Sequence, residues 1–383
     1  MNPVIVKVGL ISFFADLSSE LLYPVTPVFL AGVLGASMTS IGLIEGCAEL
    51  TASVLKSWAG SRSDRAGKRK PFVWGGYLVS TLSKASIGLA AAWPGVLVAR
   101  CLDRVGKGIR TAPRDALIAE SVAKEELGLA FGIHRGMDTL GAVLGPLAAI
   151  LLLQSFGTGR LRMFYFWSLI PGAVAVALAL GLPERIREAN RVIARRSLRW
   201  RDALRELPRS YFVFIAGWAV FSAGNSSDAF LLLKTGNGHS LVRTVMFYCL
   251  FNLVYAVSSP VLGKASDRFG KRLVLQASLP LFALAYAGFG FGWSPWVLFP
   301  LYGLFMGMSE GVAKACVAEL VPEGRAEELG ATAQGFFGMV TGVSALGASV
   351  LAGVLWDSFG AGVPFFCGSG AAVLAWFVFR FAR

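Results

Sequence analysis

The chain has 383 residues, of which 55% are apolar and only 15% charged, and its mean hydropathy is +0.63. Soluble domains carry about 25% charged residues, so this composition excludes a soluble globular protein and indicates a polytopic membrane protein. The net charge of +13 would suit a nucleic-acid binder, but the placement of the basic residues argues against that partner. The five scattered cysteines have neither disulfide nor metal-ligand spacing, so no metal site is predicted.

Apolar stretches of the ~20 residues that cross a ~30 Å hydrocarbon core recur along the whole chain. They predict an all-α membrane protein with twelve transmembrane helices. A signal peptide is the competing interpretation of the first stretch, but acidic residues interrupt it and no small-residue cleavage site is present. The predicted spans are 4–34, 39–60, 71–92, 94–114, 128–154, 161–182, 210–234, 241–263, 272–292, 296–319, 329–355 and 361–381.

Lysine and arginine occupy alternate connections between these spans. The connections 60–70 and 263–272 are basic, and segment 183–209 holds nine arginines against four acids. Because basic loops stay in the cytoplasm, both termini are predicted to be cytoplasmic. The predicted organisation is two six-helix bundles, 1–182 and 210–383, joined by a basic cytoplasmic linker, 183–209. The linker is amphipathic and is expected to lie on anionic lipid, with binding to a partner protein as the alternative.

The two bundles share sequence features and are predicted to be repeats. A Gly-x-x-x-Asp-Arg-x-Gly-Lys-Arg motif begins at Gly60 and returns at Gly263, each time after the second span of its half. The segment Phe13 to Glu20 is similar to Phe221 to Asp228, in the first span of each half. Three such matches in the same order, the third being Glu-Glu-Leu-Gly before the fifth span, indicate a duplicated bundle.

Twelve helices, two repeats and the duplicated basic motif resemble the major facilitator superfamily of secondary transporters, and within it the drug and metabolite proton antiporters. The motif is similar to motif A of that family, which implies a cytoplasmic gate: its glycine permits close helix packing, and its aspartate pairs with a neighbouring helix. A stretch in helix five resembles motif C of antiporters, where small residues and a proline shape the helix. The implied gate residues are Gly60, Asp64, Arg65, Gly263, Asp267 and Arg268, and the motif C residues are Gly141, Gly145 and Pro146.

Helix four begins like motif B of the family, whose arginine is tied to proton coupling, and then departs from it. Charged residues replace the small ones and, at steps of three and four, form one charged stripe. Such charges are costly in lipid, so they are expected to face ion partners or a wet cavity. The resemblance implies that helices one and four line the central cavity. The predicted proton-coupling and cavity residues are Asp16, Glu20, Arg100, Asp103, Arg104, Lys107, Asp138, Asn225, Asp228 and Glu310.

Proton coupling requires a carboxyl group that can bind and release a proton. Desolvation favours the neutral carboxyl and a nearby arginine favours the carboxylate, so a group between these effects can switch. We predict that Asp16 or Glu20 carries the proton opposite an arginine of helix four, with Asp103 or Asp138 as the alternative. Structural ion pairs are the competing interpretation of all these charges. The second half holds fewer charges and is expected to supply an aromatic wall or simple aromatic packing.

These features predict a proton-coupled secondary active transporter, not an enzyme, that works as a monomer in the bacterial cytoplasmic (inner) membrane. It is expected to need no cofactor and to draw its energy from the proton gradient. The motif C resemblance favours export of a small amphipathic or anionic organic compound, with import or uniport as the alternative. A membrane enzyme or a receptor is a third class, but no catalytic triad or phosphate loop supports it. The basic surplus on helix four favours an anionic group, bound when an acid is protonated, over a lipophilic cation.

Overall fold

A computed structural model of the chain describes residues 2–66, 68–122, 127–183, 200–322 and 325–381. Every regular element in these ranges is a helix. Eight described helices are long and apolar enough to cross a membrane. Residues 184–199 of the predicted linker lie outside the described ranges.

The helices follow the predicted spans in chain order, with short turns between them. They are α1 (Pro3–Glu20), α2 (Thr26–Val28) with a π-helical turn (Phe29–Val33), α3 (Met38–Ala66), α4 (Lys70–Leu89), α5 (Trp93–Ala119), α6 (Leu127–Phe156), α7 (Leu161–Trp167), α8 (Leu169–Leu180), α9 (Trp200–Arg205), α10 (Arg209–Ser222), α11 (Ala229–Gly236), α12 (Leu241–Phe269), α13 (Lys271–Phe291), α14 (Pro295–Glu319), α15 (Ala326–Phe359) and α16 (Val363–Phe381).

The first predicted span of each half is divided in two, which corrects the continuous spans expected from the sequence. In the first half α1 ends at Glu20, and Pro24 removes a backbone donor that a continuous helix would need. In the second half α10 ends at Ser222, before the sequence Ala-Gly-Asn-Ser-Ser-Asp. Short polar side chains in that sequence compete with helical hydrogen bonds. Glu20 therefore lies at a helix end, not in the middle of a helix as predicted.

The basic motifs were predicted as loops, and this is also corrected. Helix α3 continues through Ala66 and α12 through Phe269, so most of each motif is helical. Charged residues can extend a helix beyond its apolar span where that end of the helix is solvated. The second motif turns at Gly270, whose φ of 95° lies in the left-handed region that favours glycine.

The described chain divides into two compact units. The first comprises Met1–Ala36, Cys47–Arg195 and His239–Met246, and the second comprises Ser37–Gly46, Arg196–Gly238 and Phe247–Arg383. They differ from the predicted bundles in the assignment of two short segments, 37–46 and 239–246.

In the first unit, two close helix contacts position the charged residues. A Cβ added at Gly76 of α4 would lie 2.6 Å from the carbonyl oxygen of Gly106 in α5, so only glycine permits this backbone approach. A Cβ at Gly145 of α6 would lie 2.7 Å from Cβ of Glu20 in α1. The polar faces of α4 and α5, and those of α1 and α6, are therefore held against each other. The apolar core of this unit includes Ile5, Val8, Ile11, Val73, Tyr77, Leu117 and Ala175.

The second unit is built around a cluster of aromatic side chains. Phe282 lies at its centre, with its ring centroid 3.9 Å from Tyr286, 4.9 Å from Phe305 and 5.0 Å from Phe221. Tyr302 joins the cluster at 5.7 Å from Phe305. These five side chains are at most 1% exposed, so here the packing interpretation of the aromatic residues is supported over a cavity wall.

The second unit also holds the beginning of α3. The carboxylate of Asp357, near the end of α15, accepts hydrogen bonds from the backbone N–H groups of Met38 (3.1 Å) and Thr39 (2.8 Å). It accepts a third from the Thr39 hydroxyl at 2.7 Å. An acid at a helix N-terminus accepts hydrogen bonds from backbone N–H groups that have no partner within the helix, and its charge interacts favourably with the helix dipole. Asp357 therefore anchors α3 to α15.

Candidate functional site

Two carboxyl groups meet inside the first unit. Asp16 of α1 and Asp138 of α6 lie within interaction range of each other, and Lys107 and Glu20 lie within electrostatic range of Asp16. Arg135 approaches the other side of Asp138 at 3.5 Å. A carboxylate can only accept, so a hydrogen bond between two carboxyl groups needs one shared proton. We call Asp16 and Asp138 the carboxyl pair; two neighbouring carboxyl groups can share one proton.

A hydrogen-bonded cluster joins four helices next to the carboxyl pair. The hydroxyl of Ser12 contacts His134 Nε2 at 2.8 Å, the Tyr77 hydroxyl at 3.3 Å and the Arg114 guanidinium at 3.2 Å. Arg114 also pairs with Asp115 at 2.9 Å. His134 therefore makes a buried polar contact. The cluster fixes the relative positions of α1, α4, α5 and α6 around the pair.

Asp103 of α5 is occupied by neighbouring groups. It is 5% exposed, accepts a hydrogen bond of 2.5 Å from Ser80, and lies 3.9 Å from the guanidinium of Arg100. Lys84 of α4 also acts on it electrostatically. A carboxylate with these partners is a poor substrate ligand, because its charge is already compensated by neighbouring basic groups.

The basic side of α5 has unsatisfied donors. Nε of Arg104 and Nη1 of Arg110 are buried and have no hydrogen-bond partner among the described residues. Arg110 packs its guanidinium 4.2 Å above the ring of Tyr77, while Lys107 is exposed. Buried donors normally have a hydrogen-bond partner, so Arg104 is a better candidate than Arg110 to donate a hydrogen bond to a ligand.

The helical periodicity shows which way this basic side faces. The apolar side chains of Val98 and Leu102, 60% and 46% exposed, mark one side of α5. At 100° per residue, Arg104 and Lys107 lie on the opposite side. Two further faces of α5 lie between these sides. One packs on α4, where Gly106 contacts Gly76, and the other packs on α3, where Gly108 contacts Leu55. We call Arg104 and Lys107 the open cationic face.

The structure therefore redistributes the predicted ion partners. Arg100 lies against Asp103 of its own helix, whereas Lys107 is the basic residue of α5 that acts on Asp16. Ser12, Ser80 and Lys84 belong to the site but were not predicted. The available signal was a pair of polar residues four apart, Ser80 and Lys84, within a predicted membrane span.

In the second unit the predicted polar residues each meet a tyrosine or a lysine. The hydroxyl of Tyr302 donates to Asp228 at 2.7 Å, and that of Tyr286 to Asn225 at 3.4 Å. Glu310 accepts from Tyr255 at 2.5 Å and from Lys314 at 3.0 Å. Asn225 and Asp228 lie in the break between α10 and α11. They form a smaller site than the one in the first unit.

The motif A segments form ion pairs at the ends of helices. Arg69 pairs with Glu120 at 2.9 Å, and Lys271 pairs with Glu319. Each motif therefore contacts a glutamate at the C-terminal end of the fourth predicted span of its half, which is α5 in the first half and α14 in the second. These two glutamates were not predicted. Asp267 pairs with Lys271 at 3.4 Å. Arg268 lies 5.4 Å from the ring of Phe269. The backbone of Gly60, Asp64 and Arg65 belongs to α3, but their side-chain surroundings lie outside the described structure, and Gly263 has open space beside it.

The motif C residues all lie in α6. Gly141 and Gly145 face α1, where an added Cβ at Gly141 would meet the carbonyl of Phe13, and Pro146 lies inside the helix. Their contacts bring α6 close enough to α1 for the carboxyl pair to form.

Membrane-length helices that carry a cluster of acidic and basic side chains inside one unit are typical of a membrane transporter. The profile of the Major Facilitator Superfamily matches residues 8–326 and 238–383. An uncharacterized MFS-type transporter of Methanocaldococcus jannaschii is 34% identical over 358 residues, which are 91% of this chain and 87% of that protein. The multidrug resistance protein MdtG of Enterobacter lignolyticus is 26% identical over 81% of this chain and 75% of its own.

Solved structures show the same fold. The nucleoside transporter NupG superposes with a TM-score of 0.80 over 99% of both chains, at 13% identity. The chain belongs to the major facilitator superfamily, which confirms the resemblance predicted from its motifs. It is therefore an integral multi-pass membrane protein and a secondary transporter by family.

Proposed function

We propose that the protein is a proton-coupled secondary active transporter that works by alternating access and exports a small amphipathic or anionic organic compound. The observation that carries the proposal is the carboxyl pair, Asp16 and Asp138, beside Lys107. One proton can be held between the two carboxyls and lost when the site opens to the other side of the membrane. A bound proton removes a charge that would otherwise be costly in the membrane interior.

The wider arrangement belongs to the same proposal. It includes twelve crossings and a monomer in the bacterial cytoplasmic (inner) membrane. The loop charges support cytoplasmic termini and a basic linker on anionic lipid. The proton gradient supplies the energy, and no cofactor is needed. Outward transport is supported by the Gly141 to Pro146 sequence and by similarity to a protein named for multidrug resistance.

A second candidate function, import of an organic anion together with protons, is favoured by the position of Lys107. When the carboxyl pair loses its proton, Lys107 is drawn to Asp16; when the pair is protonated, Lys107 is free for a substrate anion. Proton and anion then strengthen each other's binding, and this linkage is reciprocal. An amphipathic solute that binds the carboxyl pair itself would compete with the proton, as an antiporter requires.

The proposed function is tested with purified protein in sealed vesicles that carry an imposed pH gradient. Citrate and benzoate serve as anionic probes, and tetraphenylphosphonium serves as a lipophilic cation. Proton movement is followed with an internal pH-sensitive dye, and probe movement by radioactivity. Opposite fluxes support proton-coupled export, and parallel fluxes support the second candidate. Probe flux that does not depend on the pH gradient would overturn both candidate functions.

The gate gives a separate prediction, because its two ion pairs differ in burial. The side chains of Arg69 and Glu120 are 8% and 13% exposed, whereas Glu319 is 59% exposed. Breaking a buried pair leaves an uncompensated charge and costs about 3–5 kcal/mol, while an exposed pair contributes about 0–1 kcal/mol. Glu120→Gln should therefore lower the unfolding temperature in detergent and the probe flux far more than Glu319→Gln. Equal effects of the two matched variants would contradict an energetic role for burial of the first pair.

A further inference from the structure

Lys84 is a buried cation that the proposed function does not use. It lies on α4, is 4% exposed, and donates a hydrogen bond of 3.3 Å to the hydroxyl of Ser18 in α1. No carboxylate of the described residues comes within 4.0 Å of its ammonium nitrogen. An ammonium has three donors, so one long hydrogen bond leaves most of its capacity unused.

Two carboxylates act on this ammonium from different helices. Asp103 of α5 is its strongest attractive partner, and Asp16 of α1 is the second, while Arg110 and Arg104 repel it. The Ser18 hydroxyl itself donates to the carbonyl of Ser168 at 2.9 Å. The helix packed behind α4 contributes Arg162, which bonds the carbonyls of Gly88 and Ala90 at 2.9 and 2.7 Å and is thus engaged at the helix end.

This placement is that of a mobile counter-ion and not of a fixed ion pair. A buried charge is stable only with compensation, and a fixed pair would show direct contact with one carboxylate. The lysine ammonium is a point charge on a flexible four-carbon chain, so it can move between two partners without movement of its helix. Ser18 lies on α1, the helix that carries Asp16, so the present hydrogen bond already directs Lys84 toward α1.

We propose that Lys84 is a positioning residue that transmits the protonation state of the carboxyl pair to Asp103. The proposal rests on the carboxyl pair being the proton site. With one proton on the pair, Asp103 is the stronger attraction and Lys84 links α4 to α5. Loss of that proton adds a negative charge at Asp16 and Asp138, so Lys84 moves toward α1. Asp103 is then left to Arg100 and Ser80, and the contact between α4 and α5 loosens.

The test follows protons directly and needs no knowledge of the substrate. Infrared spectra of the purified protein, recorded against pH, report the absorbance of protonated carboxyl groups, and Asp16→Asn identifies the part that belongs to the pair. Loss of a nearby cation favours the protonated form. In Lys84→Met the midpoint of this signal should therefore rise by about one pH unit or more. Lys84→Arg should restore most of the shift, because it keeps the charge.

A matched lysine provides the control. Lys7 of α1 bonds the carbonyl of Gly181 at 2.6 Å and lies away from the pair, so Lys7→Met should leave the midpoint unchanged. If Lys84→Met does not fold, Lys84→Met with Asp103→Asn removes both charges and is compared with Asp103→Asn alone; the same rise is expected. An unchanged midpoint, or equal behaviour of the Met and Arg variants, would overturn the role of Lys84. The result is independent of transport, so a failed flux assay would refute the proposed function without deciding this inference.

Discussion

Asp16→Asn is expected to abolish accumulation of a probe against its gradient while leaving exchange of the probe across the membrane. Asparagine keeps the size of the side chain and can still hydrogen-bond Asp138, but it cannot release a proton. Coupling is then lost, whereas the conformational cycle remains possible. Asp138→Asn should have the same effect, because the shared proton needs both carboxyls.

The measurement is the steady-state accumulation ratio in vesicles with and without a pH gradient, together with probe exchange at equal pH. We expect a gradient of one pH unit to change the ratio in wild type by up to about tenfold, the limit for one coupled proton, and to have no effect in either variant. The control is Asp357→Asn in the second unit, since asparagine also caps helices well and coupling should survive. Wild-type accumulation in both Asp16→Asn and Asp138→Asn would exclude the carboxyl pair as the proton carrier.

Removal of the open cationic face is expected to produce the second large effect. Arg104→Gln should weaken the binding of citrate or benzoate to the purified protein by about 10- to 100-fold, the range of a charge-assisted hydrogen bond worth about 1.5–3 kcal/mol. Lys107→Gln should also weaken binding and, in addition, remove its pH dependence. Arg160→Gln is the matched control, because that exposed arginine lies in a turn outside the site.

The direction of the pH dependence follows from the charges. Protonation of the carboxyl pair removes a negative charge beside Lys107, so an anion that binds at Lys107 should bind more tightly at pH 6 than at pH 8, as the second candidate function requires. An exported solute that competes with the proton at the carboxyl pair should instead bind more tightly at pH 8. Isothermal titration calorimetry with each probe at both pH values measures the affinity and the number of protons taken up. Binding of tetraphenylphosphonium alone, stronger at pH 8, would contradict an anionic substrate and favour a cation held by Asp16 or Asp138.

The sequence alone determined the class of the protein and the positions of most helices. Apolar stretches of membrane length are local features, so each can be recognised without knowledge of its neighbours. The duplicated Asp-Arg motifs at Asp64 and Asp267 likewise identified the family, because they depend on order along the chain. The charged stripe on helix four was visible for the same reason, since Arg100, Asp103, Arg104 and Lys107 follow the helical period.

Only the tertiary structure decided which of these charges meet. Periodicity places residues on one face of a helix, but it does not say which helix that face contacts or at what height. Asp16 therefore could not be assigned to Asp138 rather than to an arginine, and no partner could be assigned to Lys84. Contacts between distant segments depend on close backbone approach, as at Gly76 with Gly106 and at Gly145 with α1. These approaches are set by the packing of whole helices, so the carboxyl pair is a property of the fold and not of any one stretch of sequence.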